Sequence, residues 1–388
     1  MRSGISQEIV IIGGGVTGVA SAYELARAGA AVTVVEQASL ASMASGRTLA
    51  GVRQSGRHAA ELPLAMAAVA RWKTLGDELG ADLEYRQDGN LRLAEDEVDR
   101  AKILTIVGEQ SRLGLEIEFL DGNAAVREIA PAVAQHVRAA SYTPTDGHAN
   151  PNATVDAYAQ AARNAGARIR EQSRVQEIET RNGRIAGIRT DNCRIPADTI
   201  VIAAGIDTPA LLAPLGLDLP LHLANVPVVQ TTRTRPLLAP VIGTAKAHFA
   251  ARQEAGGAMR FSSGGHPVEP GADAKAPDLM RPSVARLAET MSRAASLLPA
   301  IGGLPVNAVW GGLIDLTPDS LPVIDRVSEI EGLVVAAGFS GHGFCLGPVS
   351  GEIVRDLVLA RDQRYRIEPF RWGRFVARNG TDSPELFG

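Results

Sequence analysis

Three glycines near the N-terminus stand at a spacing that suits contact between backbone and phosphate groups. Gly13, Gly15 and Gly18 follow a short apolar run, and a second β-branched run ends on Glu36. In such a βαβ unit the first glycine permits a tight turn, the second lets backbone approach a pyrophosphate, and the third lets helix pack on strand. The helix N-terminus adds N–H donors and partial positive charge. Because Glu36 is placed to accept hydrogen bonds from ribose hydroxyls, the segment predicts a dinucleotide site.

Composition and charge narrow the classes of protein to which the chain can belong. Its 388 residues suffice for roughly two to three domains of about 150 residues each. The 39 basic and 43 acidic residues give a net charge of −4, which argues against nucleic-acid binding. The two cysteines, Cys193 and Cys345, indicate neither a disulfide framework nor a metal site, so we expect a cytoplasmic protein. No apolar run approaches the roughly 18 residues of a membrane span, and no membrane association is expected.

A branched apolar run followed by a glycine turn occurs at three distant places in the chain. The runs are IVIIGGG near the start, TIVIAAG from Thr199 and GLVVAAGFSGHGF from Gly332. Runs of this kind, bounded by glycine, are typical of buried strands in a parallel sheet. The sequence therefore predicts an α/β fold with a Rossmann-type nucleotide-binding domain, whose mostly parallel sheet is assembled from three segments.

The material between these segments predicts a second, α+β domain with an antiparallel sheet that binds the substrate. The stretch 85–95 carries Asp-Gly-Asn between alternating segments, which is a hairpin signature, and 226–235 and 258–265 also alternate. The stretches with helical character are 62–79, 153–165 and 283–298. The predicted nucleotide-binding domain comprises 1–84, 147–215 and 305–388. The predicted substrate domain comprises 85–146 and 216–304.

Longer motifs recur in a fixed order along nearly the full length. They are VIIGGGVTGVASAYELARAGAAVTVVEQ, SGRTLAGVRQSGRHAAELPLA, DGHANPNATVDAYAQAARNAGA, VIAAG, WGGLIDLTPDSLPVID, AAGFSGHGFCLGPVSGEIVRDLV and EPFRWGRF. Their order resembles that of the D-amino-acid-oxidase-like FAD-dependent oxidoreductases, which include glycine oxidase and sarcosine oxidase. The second motif is most similar to catalytic subunits of opine oxidases, D-hydroxyproline dehydrogenase and hydrogen cyanide synthase.

The resemblance implies FAD as the cofactor, because an extended FAD needs a late glycine turn beside its isoalloxazine ring. It implies that the first glycines and Glu36 hold the AMP half and that 338–344 wraps the flavin. Gly312 stands where monomeric sarcosine oxidases attach flavin through a cysteine, so we expect non-covalent FAD. The cofactor-binding residues implied by the resemblance are Gly13, Gly15, Val16, Thr17, Gly18, Glu36, Gln37, Ser45, Gly46, Arg47, Thr48, Gly51, Val52, Val175, Ala203, Ala204, Gly205, Gly312, Gly338, Gly341, His342, Gly343 and Phe344.

The resemblance also implies the reaction. The C–N bond of an amino acid or secondary amine is oxidised to an imine by hydride transfer to flavin N5, and the protein mainly positions the substrate. The substrates it suggests are a D-amino acid, an opine, hydroxyproline or a sarcosine-like amine. Two other functions stay open. One is a flavin-holding subunit of a multi-subunit amine dehydrogenase with electron-transfer partner subunits. The other is an FAD-dependent 2-hydroxy acid dehydrogenase, which would need a general base.

The chain departs from its relatives at the position of the substrate anchor. Ile314 follows WGGL where glycine-oxidase-like enzymes carry an arginine, so the usual partner of the substrate carboxylate is missing. Arg53, Arg57 and Arg260 are the candidate replacements, since a guanidinium can pair with a carboxylate in bidentate fashion. Arg53 is the first choice because its motif should approach the flavin face, although contact with an FAD phosphate is an equal alternative. His342 can hydrogen-bond flavin or substrate, or serve as a structural turn residue.

Two further positions differ from monomeric sarcosine oxidases, which carry lysines where Arg260 and Cys345 stand here. The lysine at the first position is associated with oxygen activation. Its absence favours a dehydrogenase that passes electrons to another acceptor over a fast oxidase. We expect Cys345 to be a small packed residue rather than a nucleophile. The candidate catalytic residues are therefore Arg53, Arg260 and His342.

Overall fold

The computed structural model describes residues 7–268 and 280–375, which form helices and four β-sheets. The helices are α1 (Val16–Arg27), α2 (Ala44–Arg47), α3 (Leu62–Leu79), α4 (Glu97–Arg112), α5 (Asn123–Ile129), α6 (Pro151–Asn164), α7 (Thr208–Leu212), α8 (Val284–Leu297) and α9 (Gly343–Val358). The strands are β1 (Glu8–Ile12), β2 (Ala31–Val35), β3 (Gly51–Val52), β4 (Asn90–Ala94), β5 (Glu118–Asp121), β6 (Ala139–Thr143), β7 (Gly147–His148), β8 (Arg168–Arg170), β9 (Val175–Arg181), β10 (Arg184–Thr190), β11 (Arg194–Pro196), β12 (Thr199–Ile202), β13 (His222–Arg233), β14 (Val241–Thr244), β15 (Phe249–Gln253), β16 (Ala258–Ser263), β17 (His266–Pro267), β18 (Val306–Leu316), β19 (Val323–Arg326) and β20 (Leu333–Ala337).

A six-stranded sheet joins segments that are far apart in sequence. Its order is β19-β20-β12-β1-β2-β8, and every neighbouring pair is parallel except β19 with β20. In the centre, Ile11 pairs with Val34 on one side and with Val201 on the other. All three side chains are buried, as expected for parallel strands that are covered on both faces. The predicted α/β fold with a mostly parallel sheet is confirmed.

The carboxyl ends of β1, β2, β12 and β20 lie at one edge of this sheet because the four strands are parallel. Backbone hydrogen bonds join their ends directly. Gly13 N donates to Val35 O at 2.9 Å, and Ala203 N donates to Ile12 O at 2.8 Å. Ligands of open α/β sheets bind outside the carboxyl ends of the strands. We therefore expect a ligand site at the loops after these four strands.

Helices α1 and α9 pack closely because α9 presents glycines to α1. A Cβ atom on Gly347 would lie 2.7 Å from Val16 Cγ2, and one on Gly351 would lie 2.8 Å from the Ala20 backbone. The contacts advance by four residues on both helices, so the helices run parallel. Their N-termini consequently lie side by side at the carboxyl edge of the sheet, where each presents partial positive charge.

The second large sheet is antiparallel apart from the pair β4 with β14. Its order is β17-β13-β16-β15-β14-β4-β6-β5, with β18 also paired to β13. The predicted strands at 226–235 and 258–265 correspond to β13 and β16, which pair with each other. A core that includes Phe249 and Phe261 packs against Leu297 of α8. Strand β18 falls in a segment assigned above to the nucleotide-binding domain, yet it hydrogen-bonds within this sheet.

The predicted hairpin at 85–95 does not form. Arg86 bridges to His148, whereas β4, which begins at Asn90, pairs with β6 and β14. Gly89 lies between these two pairings with a φ of 89°, and its N–H donates to Asp146 O at 2.9 Å. The Asp-Gly-Asn signal thus marks a sharp change of direction. Long-range partners override the local pairing that the signal predicted.

The three predicted helices are present, with boundaries set by their caps. Helix α3 spans the predicted range 62–79. Helix α6 begins earlier than predicted because the Asn150 side chain accepts the N–H groups of Asn152 and Ala153. The Ser283 side chain caps α8 by accepting Arg286 N–H. In the described ranges no helix combines the length and apolar character that crossing a membrane requires.

Replacing Gly351 by alanine tests the close contact between α1 and α9. The added methyl would lie 2.8 Å from the Ala20 backbone, so one helix must shift. We expect the free energy of unfolding to fall by about 1–3 kcal/mol, measured by urea or thermal unfolding. Gly303→Ala is the matched control, because a Cβ atom there meets nothing within 4 Å. Equal stability of the two variants would contradict the close contact.

Candidate active site

A cavity that we call the loop cavity lies at the carboxyl edge of the six-stranded sheet. The loops after β1, β2 and β12 and the beginning of β9 enclose it. The predicted cofactor residues that line it are Gly13, Gly15, Glu36, Gln37, Ser45, Val175, Ala203, Ala204 and Gly205. Residues that the sequence did not single out also contribute, among them Asp207 and Leu211.

A second cavity, the sheet cavity, lies between the N-termini of α1 and α9 and the nine-stranded sheet. Strands β13, β14, β15, β16 and β18 all contribute side chains to its wall. The predicted residues found here and not in the loop cavity are Val16, Thr17, Arg47, Thr48, Gly51, Arg53, Gly312, Gly341, Gly343 and Phe344. Gly15 and Gly341 both face this cavity, so bends from opposite ends of the chain meet at one space.

The two cavities adjoin and share part of their walls, and we call them together the groove. The residues common to both are Gly15, Ala44, Ser45, Ala203, Gly205 and Asp315. The shared region lies where α1 begins, and an extended dinucleotide would place its pyrophosphate near a helix N-terminus. An extended dinucleotide could therefore span the two adjoining cavities.

The glycines of the first loop fulfil the packing roles that their spacing predicts. Gly13 has a φ of 112°, and a Cβ atom there would lie 2.3 Å from Ala203 O. A Cβ atom on Gly18 would lie 2.0 Å from Gly13 O, so Gly18 allows α1 to approach the turn. At Gly15 a Cβ atom would lie 3.0 Å from Ser45 Oγ, within the shared wall of the two cavities. Larger side chains at these positions would fill or distort the groove.

Glu36 and Ser45 organise the same loop through hydrogen bonds. Glu36 Oε2 accepts Gly14 N–H at 2.7 Å, and its Oε1 accepts Ala38 N–H at 2.8 Å. Ser45 Oγ accepts Val16 N–H at 3.0 Å, at the beginning of α1. Each carboxylate oxygen has more than one lone pair, so Glu36 retains capacity to accept ribose hydroxyls. Its role toward the ribose stays a prediction.

Arginines are concentrated beside the sheet cavity. Arg53 and Arg57 line it, and Arg92 lies close to both without reaching the cavity wall. Arg57 Nε donates to Arg53 O at 3.2 Å, whereas Arg57 Nη1 is buried without a hydrogen-bond partner among the described residues. Burial, reinforced by Arg57 and Arg92, lowers the pKa of Arg53. Burial and Arg57 together lower the pKa of Arg92 to about 10.

Two buried carboxylates balance part of this charge. Asp146 accepts four hydrogen bonds, from the backbone and side chains of Gln54 and Ser55, at 2.7–3.2 Å. Burial raises the pKa of Asp146, and these donors oppose the rise. Burial also raises the pKa of Glu61, but His342 and the nearby arginines outweigh it and bring that pKa below its usual value. Both carboxyl groups therefore lie buried near the arginines, and Glu61 is the one whose pKa shift favours the anion.

His342 pairs with Glu61 and does not line either cavity. Its Nδ1 lies 2.9 Å from Glu61 Oε2, and both side chains are buried. Burial and the nearby Arg57 lower the pKa of His342, although Glu61 opposes the change. The pair is thus an imidazole and a carboxylate that are hydrogen-bonded to each other and buried within the protein. This geometry favours the structural role of His342 at the beginning of α9 over direct contact with substrate.

Arg260 is held away from the cavity walls by partners within the protein. Its Nε lies 2.6 Å from Glu254 Oε1, and its Nη1 donates to Thr48 O at 3.0 Å. The guanidinium also lies 5.2 Å from the centre of the Trp310 ring. Since Arg260 already has a carboxylate partner, the geometry favours Arg53 and Arg57 as substrate anchors.

Several predicted site residues act through packing rather than at the cavity surface. Those that line neither cavity are Gly18, Gly46, Val52, Arg260, Gly338 and His342. Conversely, sequence reasoning missed Asp315 and the sheet residues that form the far wall, such as Val226 and Phe249. A carboxylate within the otherwise apolar run GGLIDL was the signal that could have identified Asp315. The far wall depends on strand register, which the local pattern does not reveal.

A groove at the carboxyl ends of a parallel sheet, with an adjoining cavity under an antiparallel sheet, defines a dinucleotide-dependent enzyme. Comparison with known proteins specifies the family. The profile described as FAD-dependent oxidoreductase (DAO) matches residues 8–357. The chain belongs to this DAO family of FAD-dependent oxidoreductases, as the motif order predicts.

Relatives with assigned activities match nearly the whole chain. Glycine oxidase of Geobacillus kaustophilus (strain HTA426) is 27% identical over 97% of this chain and 99% of its own. One of the subunits of opine oxidase from Agrobacterium tumefaciens (strain Ach5) is 28% identical over 86% of this chain and 89% of its own. The crystal structure of L-proline dehydrogenase from P. horikoshii is 29% identical, with a TM-score of 0.88 over 96% of this chain and 98% of that one.

The residues present fit FAD, the cofactor of the family. Glycines keep the groove open where side chains would collide, and the N-termini of α1 and α9 meet at its centre. Gly13 and Glu36 line the loop cavity, where the AMP half is predicted, and Gly341, Gly343 and Phe344 line the sheet cavity, where the flavin is predicted. No cluster of three or more His, Cys, Asp or Glu side chains suited to a metal ion occurs within residues 7–268 and 280–375.

The two cysteines should differ sharply in reactivity. Cys193 is exposed, whereas Cys345 is buried, and burial raises the pKa of the Cys345 thiol to about 11. Because the thiolate is the reactive species, native protein should titrate about one thiol with Ellman's reagent and about two in denaturant. Cys193→Ser should abolish the native signal. Rapid labelling of Cys345 in that variant would contradict its buried environment.

Proposed function

We propose that this protein oxidises the C–N bond of an amino acid or secondary amine that bears a carboxylate, with FAD held non-covalently. The observation that carries the proposal is the group of arginines beside the sheet cavity, of which Arg53 and Arg57 line the wall. An amine substrate could place its carboxylate on these guanidinium groups while its reacting carbon points toward the N-terminus of α9. Membership of the family supports an oxidoreductase activity, and the arginines support a substrate that bears a carboxylate.

Charge balance supports a substrate carboxylate at this position. In the buried cluster, the guanidinium groups of Arg53, Arg57 and Arg92 accompany the carboxylates of Asp146 and Glu61. Guanidinium groups are thus more numerous than carboxylates among these five buried side chains. An uncompensated buried charge is costly, and an incoming carboxylate would offset it. Arg57 lines the cavity wall, and its buried Nη1 has no hydrogen-bond partner among the described residues, so this guanidinium retains an unused donor.

The rest of the cavity supports a substrate larger than glycine. Ile314 lines the wall, so an aliphatic side chain stands where glycine-oxidase-like relatives carry their anchor. Val226, Val228, Phe249 and Phe339 extend the apolar lining. Apolar walls with a few convergent polar groups favour ligands that have a sizeable apolar part and one charged end. An N-substituted amino acid such as an opine, or a cyclic one such as hydroxyproline, meets this description.

The proposed reaction needs no protein base at the reacting carbon. The C–H bond breaks with both electrons, the nitrogen lone pair forms the C=N bond, and the nitrogen loses a proton to solvent. Bound FAD supplies the acceptor of the hydride. Water then hydrolyses the imine to a carbonyl product and an amine. Oxidation of a 2-hydroxy acid would need a general base, and no histidine lines the sheet cavity within the described residues.

A second candidate function is a flavin-holding subunit of a larger amine dehydrogenase. The opine oxidase chain to which this protein is similar is named as one subunit of its enzyme. In this case the isolated chain would turn over poorly with a dye acceptor and gain activity with its partner subunits. Full turnover by the isolated chain with the dye would favour the independent enzyme.

Replacing the cavity arginines tests the carboxylate anchor. Arg53→Met and Arg57→Met should each raise the substrate Kd by about 10- to 100-fold, because a hydrogen bond to a charged group contributes about 1.5–3 kcal/mol. The measurement is anaerobic reduction of the flavin at varied concentrations of a carboxylate-bearing amine. Arg260→Met is the matched control, since Arg260 pairs with Glu254 outside the cavity. The substrate Kd of this variant should stay within about threefold of the value for the unsubstituted protein.

The methyl ester of the same amine completes this test. If the arginines hold the carboxylate, the unsubstituted protein should bind the ester with a higher Kd than the free carboxylate. In both variants the two Kd values should become similar. FAD should remain bound in both variants. Loss of FAD from either variant would instead assign that arginine to the cofactor site.

Non-covalent attachment of FAD is tested by acid precipitation of the yellow protein. Gly312 offers no side chain to the flavin, and neither Cys193 nor Cys345 lines the sheet cavity. We therefore expect the flavin in the supernatant after precipitation, measured by its absorbance near the visible maximum. Colour that stays with the pellet after washing would contradict non-covalent attachment.

A further inference from the structure

A buried carboxylate lies at the point where the two cavities meet. Asp315 is on β18, and it is the one acidic residue that lines both cavities within the described part of the chain. The two residues that precede it on the strand line different cavities: Leu313 lines the loop cavity, and Ile314 lines the sheet cavity. The Asp315 side chain thus stands in the wall that an extended cofactor must pass.

Backbone donors, rather than a cation, stabilise this carboxylate. Within residues 7–268 and 280–375, no lysine, arginine or histidine forms an ion pair with Asp315, and only 7% of the residue is exposed. The nearest donor is Gly338 N, at 2.7 Å from Oδ2. Burial raises the pKa of Asp315 to about 6, and the donors only partly oppose it. A buried carboxylate without a cationic partner costs free energy, which its backbone hydrogen bonds offset in part.

The donors belong to a bend that the backbone would not adopt readily alone. Gly338, Ser340 and Gly341 have φ values of 67°, 51° and 85°, and Ser340 is the residue for which this conformation is strained. Asp315 holds the bend from two sides. Its carboxylate accepts Gly338 N–H, and its backbone oxygen accepts Ser340 N–H at 2.9 Å. Thr317 N donates to Ser340 Oγ at 3.2 Å and completes the attachment to β18.

The bend in turn fixes the flavin side of the groove. Gly341, the last residue of the bend, and Gly343 both line the sheet cavity, and α9 begins at Gly343. His342 N donates to Phe339 O at 2.8 Å, so the bend leads without a break into the helix N-terminus. A displacement of Gly338 would therefore move the backbone that meets the cofactor.

We propose that Asp315 is a positioning residue for FAD: its carboxylate holds the 338–341 bend against β18 and thereby keeps the cofactor in the groove. The proposal requires only the cofactor of the family and does not depend on which substrate is oxidised. Asp315 acts through the backbone of Gly338, so a side chain that still accepts this N–H should preserve the function. An apolar side chain of similar size should not.

The test compares Asp315→Asn with Asp315→Leu in the FAD-loaded protein. The rate of FAD loss on dilution is followed by the rise in flavin fluorescence, and unfolding by circular dichroism in excess FAD. Asp315→Leu should release FAD at least about tenfold faster and shift the visible band of the bound flavin, whereas Asp315→Asn should stay within about threefold. Asp99→Asn is the control for loss of a buried carboxylate, because Asp99 pairs with Lys246 away from both cavities.

A merely structural role would change the unfolding temperature of Asp315→Leu without altering the flavin spectrum or the release rate at 25 °C. That outcome, or equally fast release from Asp315→Asn and Asp315→Leu, would overturn the proposal. If Asp315→Leu does not fold, Ser340→Ala serves as the test, since it removes the second attachment of the same bend. Unchanged FAD release from Ser340→Ala would then overturn the proposal.

Discussion

The parallel pairing of β12 with both β1 and β20 is the constraint on which the rest of the structure depends. It brings the ends of strands from three distant segments to one edge, and with them the bends at Gly13, Gly205 and Gly338. Glycine is required at Gly13 because a Cβ atom would collide with Ala203 O on the neighbouring loop. The groove therefore exists because backbone from one segment can touch backbone from another.

The packing of α1 on α9 extends the same constraint to the flavin side. Two glycines of α9 let the helices run parallel at short distance, so both N-termini meet at the centre of the groove. Helix N-termini attract anionic groups, and a long dinucleotide carries its charge in the middle. The nine-stranded sheet closes the far side through β18, whose end forms the wall between the cavities.

Local patterns revealed the parts of the fold that depend on local physics. The glycine spacing after β1 and the periodicity of 62–79 correctly predicted a βαβ unit and helix α3. The hairpin at 85–95 was wrong because the arms on either side of Gly89 pair with different strands, which only the whole fold determines. Arg260 and His342 stay predictions as site residues, but each has a carboxylate partner within the protein, Glu254 for Arg260 and Glu61 for His342. Those partnerships join residues far apart in sequence or on neighbouring strands, and composition does not reveal them.

Asp315, which sequence reasoning missed, and Arg57, which it left as one of three candidate anchors, are residues whose proposed roles depend on the tertiary structure. The role of each depends on what burial does to a charge. Among the described residues Asp315 has no cationic partner, and its proximity to Gly338 N–H explains why it is tolerated. Arg57 is a cation whose Nη1 finds no partner in the same part of the chain, beside a cavity wide enough for a small carboxylate ligand. A buried guanidinium with an unused donor beside a cavity favours a ligand that carries a negative charge.

The measurement that most directly tests the central claim is anaerobic bleaching of the flavin by matched sets of compounds. Each set should contain an amino acid or N-substituted amino acid, the amine of the same skeleton without its carboxylate, and the corresponding 2-hydroxy acid. We predict that carboxylate-bearing amines alone bleach the yellow band at micromolar to millimolar concentrations. Bleaching by the 2-hydroxy acids, or equal bleaching by amines with and without the carboxylate, would contradict the assignment of the arginine-lined cavity to amino acid oxidation.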